Sequence, residues 1–470
     1  MARLLLIQSL FVEQFGIMTL AAVAKEKGHH VALAVGSDSH ILQKAQKFRP
    51  DVVGFSVLTG YQKKYLRLGQ ALKRNLATKP VILFGGPHAT FFPQVLMEDG
   101  VDIVCRGEGE GALLDILDAI DSGNDFEGID NLVLKKDSEP ISYPLRPLVD
   151  LDAIPFPDRG VYADYPIIRD SDMVLFMASR GCPFNCSFCF NKNMVKMVKN
   201  LGSWVRFRSV DNLTEEIEMI QRTKKIRHID FHDDTLIINR KWVFRFLDSY
   251  AAKFSIPFIC KVRADLIDLD IAKALKSAGC SRVSFGIESG DDSLRNLLLK
   301  KRLSDDQIRN AASIFHQVGL PFFTYNMMGL PGERLEEAFK TLELNIEIRA
   351  QCAWTSIFQP FPSTELADYC VEKGFLEKPI STDVPVDTHT TSMLRQPDID
   401  KVVRLQKFAY VAVRFPGTLR LIKKLVNYNF PTLYYFIHRI SYLIFYFRKE
   451  YNTTWIGTFK HAWIAWRHYR

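Results

Sequence analysis

Apolar and polar positions alternate in blocks along the first part of the chain. Continuous apolar runs, each long enough for one strand, cover residues 3–7, 31–35, 51–57, 80–86 and 101–107. Stretches with apolar residues at helical spacing separate them, near residues 16–27, 39–48 and 62–75, and another follows residue 109. Buried strands that alternate with amphipathic helices are typical of a parallel sheet covered on both faces. The pattern predicts a doubly wound, Rossmann-like α/β domain over residues 1–143.

A second alternating pattern begins near residue 170, after a proline-rich connection that we interpret as a linker over 144–169. Six strand–helix units follow, with strands at residues 173–178, 228–234, 258–264, 282–289, 322–330 and 354–362. Six consecutive units predict an open partial (β/α)6 barrel over 170–385, with active-site side chains at the carboxyl ends of its strands. Residues 386–470 read as a helical module, with aromatic-rich helices at 430–449 and 454–470.

Length and cysteine usage narrow the class of protein. A chain of 470 residues is too long for one ordinary core, and 47% hydrophobic with 24% charged residues is typical of a globular protein. Three of the eight cysteines lie within eight residues, which favours a reduced compartment with a metal site over a disulfide framework. The apolar start is followed by Glu13 without a cleavage site, so it predicts a first strand in a cytoplasmic protein.

The C-terminal module differs from the rest in charge. From Lys401 to Arg470 there are thirteen Lys or Arg residues and one acidic residue, which leaves 48 basic and 52 acidic residues in the first 400. The apolar run at 431–447 is short and contains His438 and Arg439, so it does not predict a membrane span. Aromatic helices edged with cations are typical of a peripheral membrane contact. Helices that cap the barrel, with their cations in solvent, are an equally supported alternative, whereas RNA binding is less favoured.

The strongest chemical signal is the spacing C-x3-C-x2-C formed by Cys182, Cys186 and Cys189, directly after an apolar strand. Three thiolates can hold three irons of a [4Fe–4S] cluster and leave the fourth iron open. A structural zinc site would need four ligands, often as two C-x2-C pairs, and the other five cysteines are dispersed. The spacing therefore favours an iron–sulfur cluster with one open iron.

This spacing, with Phe188 before the last cysteine, resembles the C-x3-C-x-Φ-C signature of radical S-adenosylmethionine (SAM) enzymes. The resemblance extends over roughly residues 170–380. It implies that SAM binds the open iron and that an external electron donor, such as flavodoxin or ferredoxin, reduces the cluster. A 5′-deoxyadenosyl radical would then abstract hydrogen from an unactivated carbon.

The same resemblance implies four SAM-binding residues at predicted strand ends. Asp233 and Asp234 take the place of the motif that receives the SAM amino group, and Arg263 suits the SAM carboxylate. Glu288 suits the ribose or the methionine part, and the GLPGE stretch at 329–333 resembles the element that supports adenine. Plainer alternatives are that Asp234 caps a helix and that Glu288 pairs with a nearby cation.

The N-terminal domain resembles cobalamin-binding domains of the methionine-synthase type. Those domains carry D-x-H-x-x-G, an S-x-L stretch and a glycine pair. Ser56 and Leu58 match the S-x-L stretch, Gly85 and Gly86 match the pair, and the spacing places Gly16 at the last position of the first motif. The resemblance implies that these five residues contact cobalamin.

Two positions depart from that pattern. The positions of the motif's Asp and His are occupied here by Phe11 and Glu13, so a bound cobalamin would be base-off without a histidine ligand. Cobalamin domains fused to radical SAM enzymes often show this departure. A flavodoxin-like domain that binds no cobalamin is the alternative, and His88 is interpreted as a packing histidine more readily than as a cobalt ligand.

Together these features predict a cobalamin-dependent radical SAM enzyme that methylates an unactivated carbon of a hydrophobic small molecule or lipid. A cyclase or carbon–carbon bond-forming enzyme with the same cofactors is an alternative, and a non-catalytic iron–sulfur or cobalamin sensor is an alternative of a different class. The sequence assigns no catalytic acid or base. Nucleic acid is not an expected partner.

Overall fold

The computed structural model describes residues 1–378 and 390–448, which form two compact units. The first unit comprises residues 1–171 together with 197–206, and the second begins at residue 172 and contains the remaining residues. Each unit has its own sheet and its own hydrophobic core. The predicted helix at 454–470 lies outside the described residues.

The first unit contains a seven-stranded sheet. Its strands are β1 (Arg3–Gln8), β2 (His30–Val35), β3 (Val52–Ser56), β4 (Val81–Gly85), β5 (Ile103–Cys105), β6 (Leu132–Lys136) and β7 (Glu139–Ser142). They lie in the order β2-β1-β3-β4-β5-β6-β7, and β1 to β5 are parallel as predicted. The antiparallel pair β6 and β7 was not predicted. All four residues of β7 are exposed and one of them is proline, so the edge strand lacks an apolar signal.

Helices cover both faces of this sheet. They are α1 (Phe15–Glu26), α2 (Asp38–Phe48), α3 (Gln62–Asn75), α4 (Gly86–Phe91), α5 (Glu110–Ser122) and the short α6 (Pro166–Arg169). Leu4 and Leu6 of β1 pack in the core that includes α1 and α5, whereas Leu5 and Ile7 pack in the core that includes α2 and α3. Successive strand residues point to opposite faces, so one apolar run serves both cores. The predicted doubly wound fold is confirmed.

Residues of the predicted linker at 144–169 belong to the core of the first unit. The buried Tyr162 hydroxyl donates to Gln8 Oε1 over 2.8 Å. The buried Tyr165 hydroxyl donates to the Leu33 carbonyl over 3.1 Å and accepts from the Val35 N–H over 3.0 Å. This segment is therefore fastened to β1 and β2, because its tyrosine rings are apolar enough to be buried while their hydroxyls pair with the sheet.

The second unit contains six parallel strands in chain order. They are β8 (Met173–Phe176), β9 (His228–Phe231), β10 (Phe258–Val262), β11 (Cys280–Glu288), β12 (Phe322–Met328) and β13 (Cys352–Ile357). The helices around them are α7 (Asn191–Met197), α8 (Val210–Thr223), α9 (Arg240–Lys253), α10 (Leu269–Ser277), α11 (Asp305–Gln317), α12 (Leu335–Glu347) and α13 (Glu365–Glu372). One large core joins strands and helices, with edge-to-face contacts of Phe231 to Phe246 and Phe258. The predicted partial barrel is confirmed.

The C-terminal helices join the same core. They are α14 (Ile399–Gln406), α15 (Ala409–Arg414), α16 (Leu419–Leu425) and α17 (Pro431–Ser441). Val402, Leu405 and Ala409 are buried with the barrel residues, and Gln406 Nε2 donates to the Thr355 carbonyl of β13 over 2.7 Å. This face of the module caps the barrel. Among the described helices, none is long and apolar enough to cross a membrane.

Candidate functional site

The three cysteines of the motif lie on the loop that follows β8. Cys186 is buried, and Cys182 and Cys189 are partly exposed. The Cys189 N–H donates to the Cys186 carbonyl over 3.1 Å, which closes a turn between the last two cysteines. Ser187 fastens the middle of the loop, since its N–H donates to the Leu299 carbonyl over 3.0 Å and its hydroxyl donates to the Leu298 carbonyl over 2.6 Å.

The buried environment of the cysteines calls for bound metal. Burial raises the pKa of all three thiols, and that of Cys189 to about 11, so bound metal is needed to hold them as thiolates at neutral pH. Among the described residues, no three His, Cys, Asp or Glu side chains converge on one ion. A [4Fe–4S] cluster does not require such convergence, because each thiolate binds a different iron.

Asn191, at the start of α7, links the cysteine loop to a carboxylate. Its Nδ2 lies 3.5 Å from Cys189 Sγ and donates to Asp234 Oδ2 over 3.1 Å. Among the described residues its Oδ1 is buried without a hydrogen-bond partner, which is unusual for an amide oxygen. An ammonium group of a ligand could donate to this oxygen and to Asp234. Asn191 was not predicted from the sequence, where the signal is a polar residue two positions after Cys189.

The two neighbouring aspartates that were predicted for SAM have different environments. Asp233 is fully buried, and its carboxylate accepts from the Ala178 N–H over 3.1 Å and from the Ser179 hydroxyl over 2.5 Å. It thereby anchors the first residues of the cysteine loop, and burial raises its pKa. Asp234 is exposed, and its negative charge raises the pKa of Cys182 and Cys189. Asp234 is therefore the aspartate that a ligand can reach beside the cysteines.

Arg263 follows β10 and contacts the cysteine loop directly. Its guanidinium carbon lies 3.7 Å from the centre of the Phe184 ring, a cation–π contact. Its Nε donates to Asp265 Oδ1 over 2.8 Å, and its Nη2 donates to the Lys301 carbonyl over 2.9 Å. Two nitrogens of the fork are thus used within the protein, and a role at the SAM carboxylate stays a prediction. Phe184 was missed because only the fold brings it to Arg263. Asp265 lies two residues after Arg263 and could have been noticed from the sequence.

Glu288 ends β11 beside the same loop. Its Oε1 accepts from Lys301 Nζ over 2.7 Å, so the predicted pairing with a nearby cation is present, and Lys301 supplies it. The residue has a φ of 71°, in the left-handed region, where the strand register shifts after Gly286. A Cβ at Gly286 would overlap Glu288 Oε1 at 2.0 Å, so glycine is required for this arrangement. Contact of Glu288 with SAM stays a prediction.

Glu333 closes the GLPGE stretch after β12. Its Oε2 accepts from the N–H groups of Gly329 and Leu330, the latter over 3.2 Å. Its Oε1 is buried and has no hydrogen-bond partner in the part of the chain that the structure describes. Burial raises the pKa of Glu333 to about 8, so the carboxyl is largely protonated at neutral pH. The side chain holds the turn at the strand end.

In the first unit, four of the residues predicted for cobalamin lie at two adjacent strand ends. Ser56 of β3 is paired with Gly85 of β4, and the Val57 N–H donates to the Gly85 carbonyl over 2.9 Å. Gly86 has a φ of 86°, and a Cβ there would lie 2.9 Å from Val57 N, so the turn requires glycine. Leu58 is 43% exposed at the end of β3, where an apolar ligand surface could cover it.

Gly16 lies in the first turn of α1, after the neighbouring strand β1. A Cβ at this position would meet nothing within 4 Å, so the protein's own packing does not require glycine. The five predicted residues therefore share the carboxyl edge of one sheet, where ligands of this fold bind. Their contact with cobalamin stays a prediction.

The side chains of Glu13 and His88 are both engaged within the first unit. Glu13 Oε2 lies 3.3 Å from Arg159 Nη1 in a largely buried ion pair. His88 is buried in α4, where its Nδ1 lies 3.2 Å from Thr59 Oγ1 and its ring lies 5.2 Å from that of Phe92. Burial lowers the pKa of His88 to about 4. The contacts support the interpretation of His88 as a packing histidine, and base-off binding of cobalamin stays a prediction.

Comparison with known proteins agrees with both sites. The sequence matches the B12 binding domain over residues 9–117 and the Radical SAM superfamily over residues 177–344. It is 30% identical over 377 residues to an uncharacterized methyltransferase of Pyrococcus horikoshii, across 77% of this chain and 79% of that protein. The chain belongs to the cobalamin-binding radical SAM enzymes. As a member of this family it is an enzyme that uses a [4Fe–4S] cluster, SAM and cobalamin, and the sensor alternative is not supported.

Other relatives of this radical SAM enzyme differ in reaction. It is 26% identical over 352 residues to the anaerobic magnesium-protoporphyrin IX monomethyl ester cyclase of Rubrivivax gelatinosus, across 70% of this chain and 60% of that protein. The structure of the cobalamin-dependent S-adenosylmethionine radical enzyme OxsB with aqua-cobalamin matches with a TM-score of 0.69 at 16% identity, across 94% of this chain and 73% of that one. At that identity the match shows a shared fold.

The contrast between the two aspartates is testable by matched substitutions. Asp234→Asn should leave the iron content and the melting temperature unchanged and weaken SAM binding by about tenfold or more, since a charge-assisted hydrogen bond is lost. Asp233→Asn should instead lower the free energy of unfolding by about 2 kcal/mol, because it disturbs a buried acceptor. Isothermal titration measures the affinity for SAM, and thermal melts measure the stability. The exposed Asp211→Asn is the control. Unchanged SAM affinity in Asp234→Asn would show that this carboxylate does not bind the ammonium.

The buried His88 predicts a pH dependence of stability. The unfolded chain takes up the proton near pH 6.5 and the folded chain only near pH 4, so stability is complete above pH 6.5 and falls as the pH drops toward 4. His88→Gln should remove this loss, and the exposed His30→Gln should retain it. Urea unfolding midpoints across this pH range measure the effect. An unchanged visible spectrum of bound cob(II)alamin in His88→Gln is also expected, and a changed one would identify His88 as a ligand.

Proposed function

We propose that this enzyme methylates an unactivated carbon of a hydrophobic small molecule or lipid. The observation that carries the proposal is the joint presence of the fastened cysteine loop, with Asp234 and Asn191 beside it, and a cobalamin domain without an imidazole ligand. When bound, cluster and SAM supply a carbon-centred radical and cobalamin supplies the methyl donor. Asp234 and the Asn191 Oδ1 would hold the SAM ammonium group, while Ser187 keeps the loop in place. Flavodoxin or ferredoxin is the proposed reductant.

Methylation is favoured over ring formation by the pattern of relatives. The relative named as a methyltransferase is matched at 30% identity over 79% of its length, whereas the cyclase is matched at 26% over 60%. Cyclisation or carbon–carbon bond formation without net methylation is the second candidate, because the cyclase relative matches 70% of this chain.

A hydrophobic substrate is supported by an exposed apolar face on the C-terminal helices. In α17 the side chains of Leu433, Phe436 and Ile440 are 47%, 55% and 56% exposed. They lie on one side of the helix, whereas Tyr434 and Ser441 are buried on the other. Large apolar side chains grouped on a surface mark an interaction site, and the barrel packing of this helix does not account for them.

The charges around this face suit an anionic membrane surface. Residues 401–448 contain nine Lys or Arg residues and no Asp or Glu. The Arg439 guanidinium lies 5.3 Å from the centre of the Tyr435 ring, so cation and aromatic ring stand together at the edge of the apolar face. This combination is typical of helices that lie in a membrane interface. We therefore propose peripheral membrane contact through α16 and α17.

The proposed reaction predicts its own products. Reduced, cobalamin-loaded enzyme with SAM and a lipid extract should release S-adenosylhomocysteine alongside 5′-deoxyadenosine, measured by liquid chromatography. Replacing Cys182, Cys186 and Cys189 by Ala should abolish both products and the cluster absorbance, whereas Cys370→Ala, a buried cysteine outside the loop, should keep them. Release of 5′-deoxyadenosine alone would contradict methylation and favour the cyclase alternative. SAM cleavage in the triple variant would contradict the cluster assignment.

Membrane contact is tested by flotation of the full chain. The enzyme should float with phosphatidylcholine vesicles that contain phosphatidylglycerol, and less so at high salt, because exposed charges are screened. Replacing Leu433, Phe436 and Ile440 by Gln should abolish flotation, whereas replacing the exposed Met219 and Leu297 by Gln should not. Truncation at residue 401 is unsuitable, since Val402 and Leu405 belong to the barrel core. Equal flotation of both variants would refute the proposed contact.

A further inference from the structure

The two faces of the barrel sheet have different compositions. One face packs against the helices and is apolar, with Phe231 of β9 and Phe258 of β10 in the large core. Neighbouring residues along each strand point to the opposite, inner face of the barrel. There β9 presents Asp230 and β10 presents Lys261, where an apolar side chain would otherwise be expected. Asp230 and Lys261 are the last inward-pointing residues of their strands, and barrel enzymes bind their ligands at the carboxyl ends of the strands.

Charged side chains group on one side of this inner face. His232, directly after β9, has its Nδ1 3.1 Å from Asp230 Oδ2 and 3.2 Å from Lys261 Nζ. Asp230 is buried, and although burial raises its pKa, the hydrogen bond with His232 and the positive charges of Lys261 and Arg282 lower it overall. Lys261 is only partly buried. The lysine amine thus lies at a partly accessible position, 3.2 Å from the same ring nitrogen that faces the Asp230 carboxylate.

Aromatic side chains occupy the other side of the same face. Tyr325 of β12 and Trp354 of β13 are adjacent in the strand register, and their ring centres lie 5.9 Å apart in an edge-to-face arrangement. Both side chains are partly exposed. Tyr446, after α17, lies with its ring centre 6.3 Å from that of Trp354 and closes the outer end of this wall. The wall offers flat apolar surface to a ligand in the barrel.

The register places the lysine next to the cysteine loop. Lys261 precedes Arg263 by two residues on the same face, and Arg263 contacts Phe184 of the loop. Two residues along a strand span about 7 Å, so Lys261 lies deeper in the barrel than Arg263 by that distance. Lys261 is level with Ser284 and Phe323, and strands two apart in a sheet are about 10 Å apart. A molecule that bridges the cation and the aromatic wall would therefore pass beneath the cysteine loop.

We infer that Lys261 binds an oxyanion of the substrate, a carboxylate or a phosphate, while the apolar body of the substrate lies against Tyr325 and Trp354. Lys261 is then a specificity-determining residue, and Asp230 is a positioning residue that holds His232 beside it. The inference rests on the proposed function, because it takes the barrel interior as the place of a hydrophobic substrate. It narrows that substrate class to amphiphiles with one anionic end.

Binding of small aromatic probes to the reconstituted full-length enzyme tests this inference. The probes are 1-naphthyl phosphate, 1-naphthoate and the neutral 1-naphthol. Equilibrium dialysis measures the affinity of the enzyme for each of them. The wild type should bind at least one anionic probe about tenfold more tightly than 1-naphthol, because a charge-assisted hydrogen bond is added. The two anionic probes distinguish a phosphate from a carboxylate.

Substitutions at Lys261 give the decisive comparison. Lys261→Met should remove the preference for the anion without changing binding of 1-naphthol, and Lys261→Arg should retain it. Lys261→Glu should transfer the preference to 1-naphthylmethylammonium, which a general loss of structure cannot do. Trp354→Leu should weaken the binding of all probes equally. The control is Lys273→Met, which removes an exposed cation on α10.

Two results would overturn the inference: equal affinity of the wild type for all three probes, or identical behaviour of Lys261→Met and Lys273→Met. The proposed function is tested by a different measurement, the release of S-adenosylhomocysteine, so its failure can be told apart from failure of the inference. Anion selectivity without that product would leave the Lys261 site standing and contradict methylation. Release of S-adenosylhomocysteine without anion selectivity would support methylation and contradict the Lys261 site.

Discussion

The cluster site depends on one buried carboxylate. Asp233 accepts hydrogen bonds from the N–H of Ala178 and the hydroxyl of Ser179, and so fixes the point at which the chain leaves β8 and becomes the cysteine loop. The other fastenings of the loop, through Ser187 and through Arg263 on Phe184, act on a segment whose start is already set. Burying a carboxylate is costly unless it is well bonded, and these donors offset that cost. Asp234, one residue further, remains accessible because Asp233 is the one that turns inward.

Local patterns in the sequence predicted the frame of both units. Buried parallel strands are continuous apolar runs, so β1 to β5 and β8 to β13 could be found from periodicity, and the three cysteines are close in sequence. Strand β7 was not predicted because an exposed edge strand carries no apolar signal. The partners of the predicted SAM residues were not predicted for another reason. Lys301 reaches Glu288, and Asn191 reaches Asp234, only after the chain has folded.

The C-terminal helices have both features that the sequence presented as alternatives: a face that packs on the barrel and an exposed apolar face. One face is part of the barrel core, and Gln406 is bonded to β13. The other face carries exposed apolar side chains, among them Leu433, Phe436 and Ile440. A helix with apolar residues all around it can present both faces, and composition alone cannot separate them. The wall of Tyr325 and Trp354 meets this module at Tyr446, so the wall and the module are continuous within the second unit.

The ion pair of Glu13 with Arg159 has a consequence for any attempt to place a cobalt ligand at this position. The resemblance assigns position 13 to a cobalt-binding histidine, whereas here the Glu13 carboxylate pairs with a largely buried guanidinium from a distant part of the chain. A histidine at position 13 would remove that carboxylate, and breaking a largely buried pair on one side is destabilising. Two coordinated changes, at positions 13 and 159, would be needed together. A single substitution therefore cannot introduce the histidine without a loss of stability.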